Sequence, residues 1–131
     1  MLPRVQGDLA LLAAAHQLAK HGYTICIPLT DNQPYDLVIE KNKQLQRVQV
    51  KSTSRHDKGD PSRPFVVELR RKRHNSKTTK THLYDIDAAD LLVVVTSHEE
   101  YYLIPNGRIT ATSQLHLNKK FEKYRLGRTS Q

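Results

Sequence analysis

The sequence predicts a single α/β domain. One strongly apolar helix near the N-terminus is followed by three or four strands, a helical turn and two further strands. A chain of 131 residues is long enough to bury one core. Its one cysteine, Cys26, excludes an internal disulfide framework and favours an intracellular, reducing compartment. No apolar run approaches the roughly 20 residues of a membrane span, so no membrane partner is expected.

Residues 7–21 are predicted to form the first helix, with Gly22 as its C-cap. Apolar side chains cover most of its circumference in two stripes: Leu9, Leu12, Ala13 and His16, and Leu11, Ala14, Ala15 and Leu18. Asp8 falls in the first turn of this helix. It either interacts favourably with the helix dipole or serves as a metal ligand, and both interpretations stay open.

Residues 34–40 and 47–52 are predicted to form a β-hairpin, following a first strand over 23–27. The connection over 41–46 is polar and longer than the tightest turns. In the second strand Gln49 and Lys51 share one face, because alternate side chains of a strand point the same way. Asp36 begins the partner strand and can lie beside that face. An acid, an oxygen ligand and a lysine together can hold a divalent cation and a phosphate, although all three also occur as ordinary exposed strand residues.

Later elements are predicted from apolar runs and their breakers. Residues 65–69 form a strand that continues directly into the basic run 70–73, and the polar stretch 74–82 is an exposed loop. A helical turn over 85–90 leads to the most apolar strand, 91–96, and a return strand over 101–104. The tail over 115–128 docks as a short helix or contacts a partner.

The charge of the chain is concentrated in one region. Net charge is +8, and residues 47–80 hold eleven Lys or Arg against three acidic residues, whereas the remainder is balanced. Such localisation is typical of a phosphate-binding surface, so a nucleic acid is the expected partner, contacted mainly by residues 54–82, and a merely solubilising patch is the alternative. The predicted nucleic-acid-contacting residues are Arg47, Arg55, Lys58, Arg70, Arg71, Lys72, Arg73, Asn75, Lys77 and Lys80.

An ordered set of short blocks resembles the PD-(D/E)XK nuclease superfamily. The blocks are GDL at 7–9, GYT at 22–24, PLTD at 28–31, YDL at 35–37, VQVK at 48–51 and YLIP at 102–105. Within the superfamily the chain is most similar to the group I intron-encoded homing endonucleases of cyanobacteria. The resemblance implies a restriction-endonuclease-like core, in which a mixed central β-sheet is flanked by helices. It also implies one nuclease domain over 1–131 and a cytoplasmic, nucleoid-associated location in a bacterium.

Carried over residue by residue, the resemblance makes Asp36 the metal-binding acid and Lys51 the motif lysine. Gln49 stands where the motif has an acid, and Pro34 lies one residue further from Asp36 than the motif proline does. Some relatives place a glutamate on the first helix, where this chain has Leu11 with Asp8 nearby. The implied catalytic residues are Asp36, Gln49 and Lys51, with Asp36, Gln49 and Asp8 as candidate ligands of Mg²⁺ or another divalent cation such as Mn²⁺.

The implied activity is hydrolysis of phosphodiesters in double-stranded DNA at a specific site. The alternatives are a structure-specific nuclease similar to Holliday junction resolvases and a catalytically weak DNA-binding module. Cutting both strands needs two sites, so a homodimer or homotetramer is expected. The expected subunit contacts are the apolar face of residues 101–104 and the C-terminal extension over 106–131, chiefly its apolar residues between 115 and 124.

Overall fold

A computed structural model describes residues 2–30, 32–74 and 79–127, and for residues 71–74 and 79–82 it describes the backbone. The first element, α1, spans Pro3–Lys20 and begins four residues before the predicted start. Proline is favoured at the first helical position, because its φ is preset and the missing N–H has no partner there. Asp8 consequently lies beyond the first turn, which contains no acidic residue, and the first-turn placement predicted for it is wrong.

In the described part of the chain, nine strands follow α1. They are β1 (Thr24–Cys26), β2 (Leu37–Lys41), β3 (Gln44–Thr53), β4 (Val66–Glu68), β5 (Arg71–His74), β6 (Thr79–His82), β7 (Leu91–Thr96), β8 (Tyr101–Pro105) and β9 (Gln114–His116). The central sheet has the order β1-β2-β3-β7-β8, in which β3 and β7 are parallel and the other neighbours antiparallel. The predicted mixed sheet is therefore confirmed, with one α-helix in the described part of the chain.

The hairpin between β2 and β3 closes through the two residues Asn42 and Lys43. Their φ angles of +54° and +67° are those of a tight turn whose twist matches the strands. The Glu40 carboxylate accepts the Lys43 N–H at 3.0 Å and supports the turn. The longer connection predicted over 41–46 is wrong.

The sheet separates two apolar clusters. On one face, Ala14 and Leu18 of α1 pack against β-strand residues that include Val48 and Val93. On the other face, Leu92 and Val94 pack against residues of β4, β8, β9 and the C-terminal segment. Gln49 is paired with Leu92 and Lys51 with Val94, so both functional candidates lie on the face that α1 does not cover.

The C-terminal segment completes the second cluster. β9 pairs with β4, and a short 3₁₀ helix over Lys119–Tyr124 buries Phe121. The tail therefore docks on its own chain as a short helix. The apolar side chains expected at subunit contacts are instead buried within the chain: Tyr102, Ile104, Leu115, Leu117 and Phe121. Tyr101, Leu103 and Tyr124 of the same surfaces stay partly exposed, so the subunit contact remains a prediction.

Two connecting regions differ from the prediction. β4 ends at Glu68, and the basic run enters a separate two-stranded ribbon of β5 and β6, with Arg73 opposite Lys80. Part of the predicted loop is therefore a strand. Residues 85–90 form a hydrogen-bonded turn, closed by the Ala88 N–H to the Asp85 carbonyl at 3.2 Å, and not a helix. No helix in the described part of the chain is long and apolar enough to cross a membrane.

Candidate active site

Asp36 is fastened to β3 at the point where β2 begins. Its backbone N–H donates to the Val48 carbonyl at 2.8 Å, and its carboxylate Oδ2 accepts the Val50 N–H at 2.7 Å. The ladder of β2 starts only at Leu37, opposite Val48. The Val50 N–H lies beyond the start of this ladder, so it donates to the Asp36 side chain and not to the backbone of β2. Asp36 therefore lies next to Gln49 and Lys51.

The pKa of the Asp36 carboxyl is raised above its ordinary value. Burial of the carboxylate is the largest cause, although the residue as a whole keeps an exposed surface. The Val50 N–H and the Lys51 ammonium act in the opposite direction, because both favour the charged form. The raised pKa shows that the protein environment leaves the Asp36 charge incompletely compensated, which suits a group that takes a cation.

Gln49 carries a polar atom that lacks a partner. Its Oε1 is buried and accepts no hydrogen bond from the described residues. Leaving a buried acceptor unpaired costs about 1–3 kcal/mol. Gln33 Oε1 is in the same state, but Gln33 does not line the cavity into which Gln49 opens. An amide oxygen is an accepted ligand for hard divalent cations, so the residue present at this motif position fits a metal ion.

Gln49 and Lys51 form one wall of a cavity of about 210 Å³. The facing wall is the segment before β7, and the cavity is completed by residues on either side; these other lining residues are Leu83, Tyr84, Asp85, Ala88, Pro34 and Leu69. Asp36 lies outside the lining. The cavity thus joins an amide oxygen and an ammonium from β3 to a carboxylate from the turn at 85–90.

A buried asparagine holds the facing wall in place. Asn106 Oδ1 accepts the Tyr84 hydroxyl at 2.9 Å, and its Nδ2 donates to the carbonyls of Ile86 (3.1 Å) and Ala89 (2.9 Å). Burial raises the pKa of Tyr84 to about 12, so the phenol is protonated at neutral pH and donates this hydrogen bond to Asn106. Asn106 could not be identified as important from the sequence, since a single asparagine after a strand carries no recognisable spacing.

Arg47 is committed to an internal pairing. Its Nη2 lies 3.2 Å from Asp90 Oδ1, and its Nε lies 3.3 Å from Asp90 Oδ2. The backbone N–H of Arg47 also donates to Oδ2 at 2.8 Å, and these bonds hold the pKa of Asp90 below its ordinary value. The pair fastens β3 to the start of β7 and so sets the relative position of the two cavity walls. The predicted DNA contact of Arg47 competes with this role.

The other predicted DNA-contacting residues differ in whether they form an ion pair with an acidic residue of the described chain. Arg70 forms a two-pronged pair with Glu68, with Nε–Oε1 at 2.7 Å and Nη2–Oε2 at 3.1 Å, and this pairing lowers the pKa of Glu68 to about 2. Arg55 and Lys58 are exposed and form no ion pair with the described residues. Arg71, Lys72, Arg73 and Lys80 lie on the β5–β6 ribbon, and Asn75 and Lys77 lie outside the described residues.

Asp8 is set apart from Gln49 by the sheet. α1 packs on the face that carries Val48, where Leu11 also contacts the apolar cluster, and residues 2–9 are all exposed. Asp8 forms no hydrogen bond or ion pair with any residue that the structure describes. Within that part of the chain, no three or more His, Cys, Asp or Glu residues form a group suited to a metal ion. Any metal site in this region therefore depends on few charged ligands.

Comparison with known proteins agrees with this geometry. The family model of the PD-(D/E)XK endonucleases matches residues 1–128. The solved structure of a bacterial homing endonuclease, I-Ssp6803I, is similar with a TM-score of 0.76 and 29% sequence identity, over 95% of this chain and 89% of that one. No curated protein sequence matches the chain significantly.

Proposed function

The chain belongs to the PD-(D/E)XK endonuclease family, and from that premise we propose that it is a homing endonuclease that cuts double-stranded DNA with a divalent cation, Mg²⁺ or Mn²⁺. The observation that carries the proposal is the bond between the Asp36 carboxylate and the Val50 N–H. It places the acid beside Gln49 and Lys51, in a chain similar over 95% of its length to a bacterial homing endonuclease.

Asp36 and Gln49 are the residues that would hold the cation. Both offer oxygen atoms, which Mg²⁺ and Mn²⁺ prefer, and the unpartnered Oε1 of Gln49 gains a partner on binding. When bound, such a cation supplies polarisation of the scissile phosphate and an activated water. Because Gln49 is neutral, the site attracts the cation less strongly than a motif with two acids would.

Lys51 acts on the phosphate itself. Its ammonium lies close enough to Asp36 to lower the pKa of that carboxyl, and it shares the cavity wall with Gln49. A cation at this position donates hydrogen bonds to phosphate oxygens and stabilises the negative charge that develops during hydrolysis. Loss of one such donor typically costs about 10²–10³ in rate.

DNA is held by the basic region that follows β3. The β5–β6 ribbon contributes Arg71, Lys72, Arg73 and Lys80, and a two-stranded ribbon fits the major groove. Arg55 and Lys58 add positive charge that no described acid neutralises. Arg47 and Arg70 contribute less directly, since each is paired with an acid.

Two copies of the chain are needed to cut both strands, so we propose a homodimer or homotetramer. Val5, Leu9 and Leu12 of α1 and Leu2 at its N-cap follow the spacing of a helix–helix seam and are between 41 and 71% exposed. A second copy of α1 covers this stripe. We expect Leu9→Glu with Leu12→Glu to lower the molar mass in light scattering, whereas Leu45→Glu, at an exposed leucine of the hairpin, leaves it unchanged. A monomeric wild-type chain contradicts the assignment.

The activity is tested with purified protein on duplex DNA carrying an intron-free target gene, with and without Mg²⁺. We expect cuts in both strands at one site, dependent on the cation and abolished by Lys51→Met. Preferential cutting of a four-way junction favours the resolvase-like alternative. DNA binding without DNA cleavage in any divalent cation favours the alternative of a DNA-binding module.

A further inference from the structure

The candidate cavity contains a carboxylate that the nuclease motif does not assign. Asp85 lies in the turn at 85–90 and lines the same cavity as Gln49 and Lys51. The motif position that normally supplies a second acid is occupied by Gln49, so a divalent cation at this place meets an amide oxygen and the Lys51 ammonium. Repulsion between a cation and that ammonium makes a further anion in the cavity valuable.

The side chain of Asp85 is held by one of its two carboxylate oxygens. Oδ1 accepts the Asp87 N–H at 2.9 Å, while Oδ2 has no hydrogen bond within the described part of the chain. The turn itself is fixed, because Asn106 binds the carbonyls of Ile86 and Ala89 and the hydroxyl of Tyr84. A carboxylate on a fixed turn with one oxygen available can bind a ligand at little further cost in conformational entropy.

A second observation in the same cavity points to a cation. Gln49 Oε1 is buried and has no hydrogen-bond donor among the described residues. Gln49 and Asp85 line the same cavity, and each has an oxygen without a hydrogen-bond donor among the described residues, so the two residues can provide two hard ligands for one metal ion. Mg²⁺ sites in enzymes commonly use one or two carboxylates and complete their shell with water and substrate phosphate.

We propose that Asp85 is a metal ligand of this site and supplies the negative charge that Gln49 does not. This inference rests on the proposed function, since it concerns the cation of the same nuclease site. The simpler role of Asp85 is to cap its own turn through the Asp87 N–H. The two roles are separable, because an asparagine at position 85 keeps the acceptor for that N–H and removes the charge.

The test compares Asp85→Asn with Asp87→Asn, a matched loss of one charge two residues away that does not line the cavity. Binding of Mn²⁺ to the full-length protein is measured by isothermal titration calorimetry, alongside the melting temperature of the metal-free protein. We expect Asp85→Asn to weaken Mn²⁺ binding about ten-fold or more. Asp87→Asn changes it less than two-fold, and both variants melt close to the wild type.

Equal Mn²⁺ binding by Asp85→Asn and the wild type overturns the inference, as does an equal loss in both variants, which indicates a general effect of net charge. Asp36→Asn separates this failure from that of the proposed function. If Asp36→Asn loses Mn²⁺ binding and Asp85→Asn does not, only the role of Asp85 is wrong. A wild-type protein that binds no Mn²⁺, or an Asp36→Asn variant that binds it normally, overturns the proposed metal site and the role of Asp85 with it.

Discussion

The Asp36 carboxylate accepts a 2.7 Å hydrogen bond from the backbone N–H of Val50, the residue between Gln49 and Lys51. A side chain at the start of one strand is thereby fixed to the strand that carries the other two candidate residues. The short turn at Asn42 and Lys43 keeps the two strands in a single register.

Replacing Asp36 with asparagine separates the effect of its charge on stability from its role in DNA cleavage. The amide oxygen of the new side chain can still accept the Val50 N–H, but the variant lacks the charge that burial disfavours. The folded-state pKa of Asp36 is raised, so its ionisation costs stability, and this cost is present at pH 7 and absent below the unfolded pKa of about 4. We expect Asp36→Asn to raise the free energy of unfolding at pH 7, to leave it unchanged near pH 3, and to abolish cleavage. Urea titrations at the two pH values measure the first two effects, and a variant less stable than wild type at pH 7 contradicts the assignment.

A carboxylate at position 49 is expected to strengthen cation binding and weaken the metal-free fold. Gln49 Oε1 is buried without a donor, so a glutamate there places a second negative charge in a buried position beside Asp36, with Lys51 as the neighbouring cation for both carboxylates. We expect Gln49→Glu to lower the melting temperature without metal, and saturating Mg²⁺ to reverse the difference by mass action. Gln49→Met is the control, since it removes the oxygen and adds no charge, and Mg²⁺ should stabilise it less than the wild type. A melting temperature of Gln49→Glu that Mg²⁺ does not change shows that position 49 does not touch the cation.

Releasing Arg70 from its acid is expected to tighten DNA binding. Glu68 is exposed and its pKa is lowered to about 2 by Arg70, so the pair stays intact at any pH near neutrality. Glu68→Gln frees the guanidinium for phosphate and steepens the salt dependence of binding by about one charge. Glu99→Gln makes the same change in net charge at an exposed acid without a described ion pair. Fluorescence anisotropy at several salt concentrations compares them, and equal effects of the two variants show that Arg70 lies away from the DNA.

Removing the side chain of Asn106 is expected to loosen the cavity wall. Asn106→Ala leaves the Tyr84 hydroxyl and the carbonyls of Ile86 and Ala89 without this partner in a buried place. Such losses cost about 2–4 kcal/mol in total. Asn32→Ala, in an exposed loop, is the control and should stay within about 0.5 kcal/mol of the wild type. Chemical denaturation gives both values, and a cost below about 1 kcal/mol for Asn106→Ala shows that the wall does not depend on this residue.

Elements whose signal is local could be predicted from the sequence. The strand at Leu91–Thr96 is confirmed with its predicted bounds, because a short uninterrupted apolar run between polar residues is typical of a buried strand. The hairpin and the shared face of Gln49 and Lys51 follow from strand alternation alone. The turn of the hairpin could not be placed correctly, because Asn42-Lys43 lacks the glycine that usually marks a two-residue turn.

Features that depend on contacts between distant residues could not be predicted. The parallel pairing of β3 with β7 is fastened by Arg47 and Asp90, which are 43 residues apart. The strands β5 and β6 contain almost no apolar residues, so no apolar pattern in the sequence predicts them. They are defined by their backbone pairing. Asp85 and Asn106 gain their importance only when the turn at 85–90 is folded against β3. No spacing in the sequence brings these groups together.

The parallel pairing of β3 and β7 also bears on the order in which the molecule folds. The hairpin that carries Asp36, Gln49 and Lys51 closes over two residues and loses little chain entropy, so it can form early. Pairing β3 with β7 closes a loop of 43 residues. The chain entropy lost in this closure is offset only once the contacts between the two strands form, so the step is slow. The cavity exists only after that late step. We therefore expect a nascent or partly unfolded chain to carry the hairpin without the opposite wall, and DNA cutting to require the completed fold.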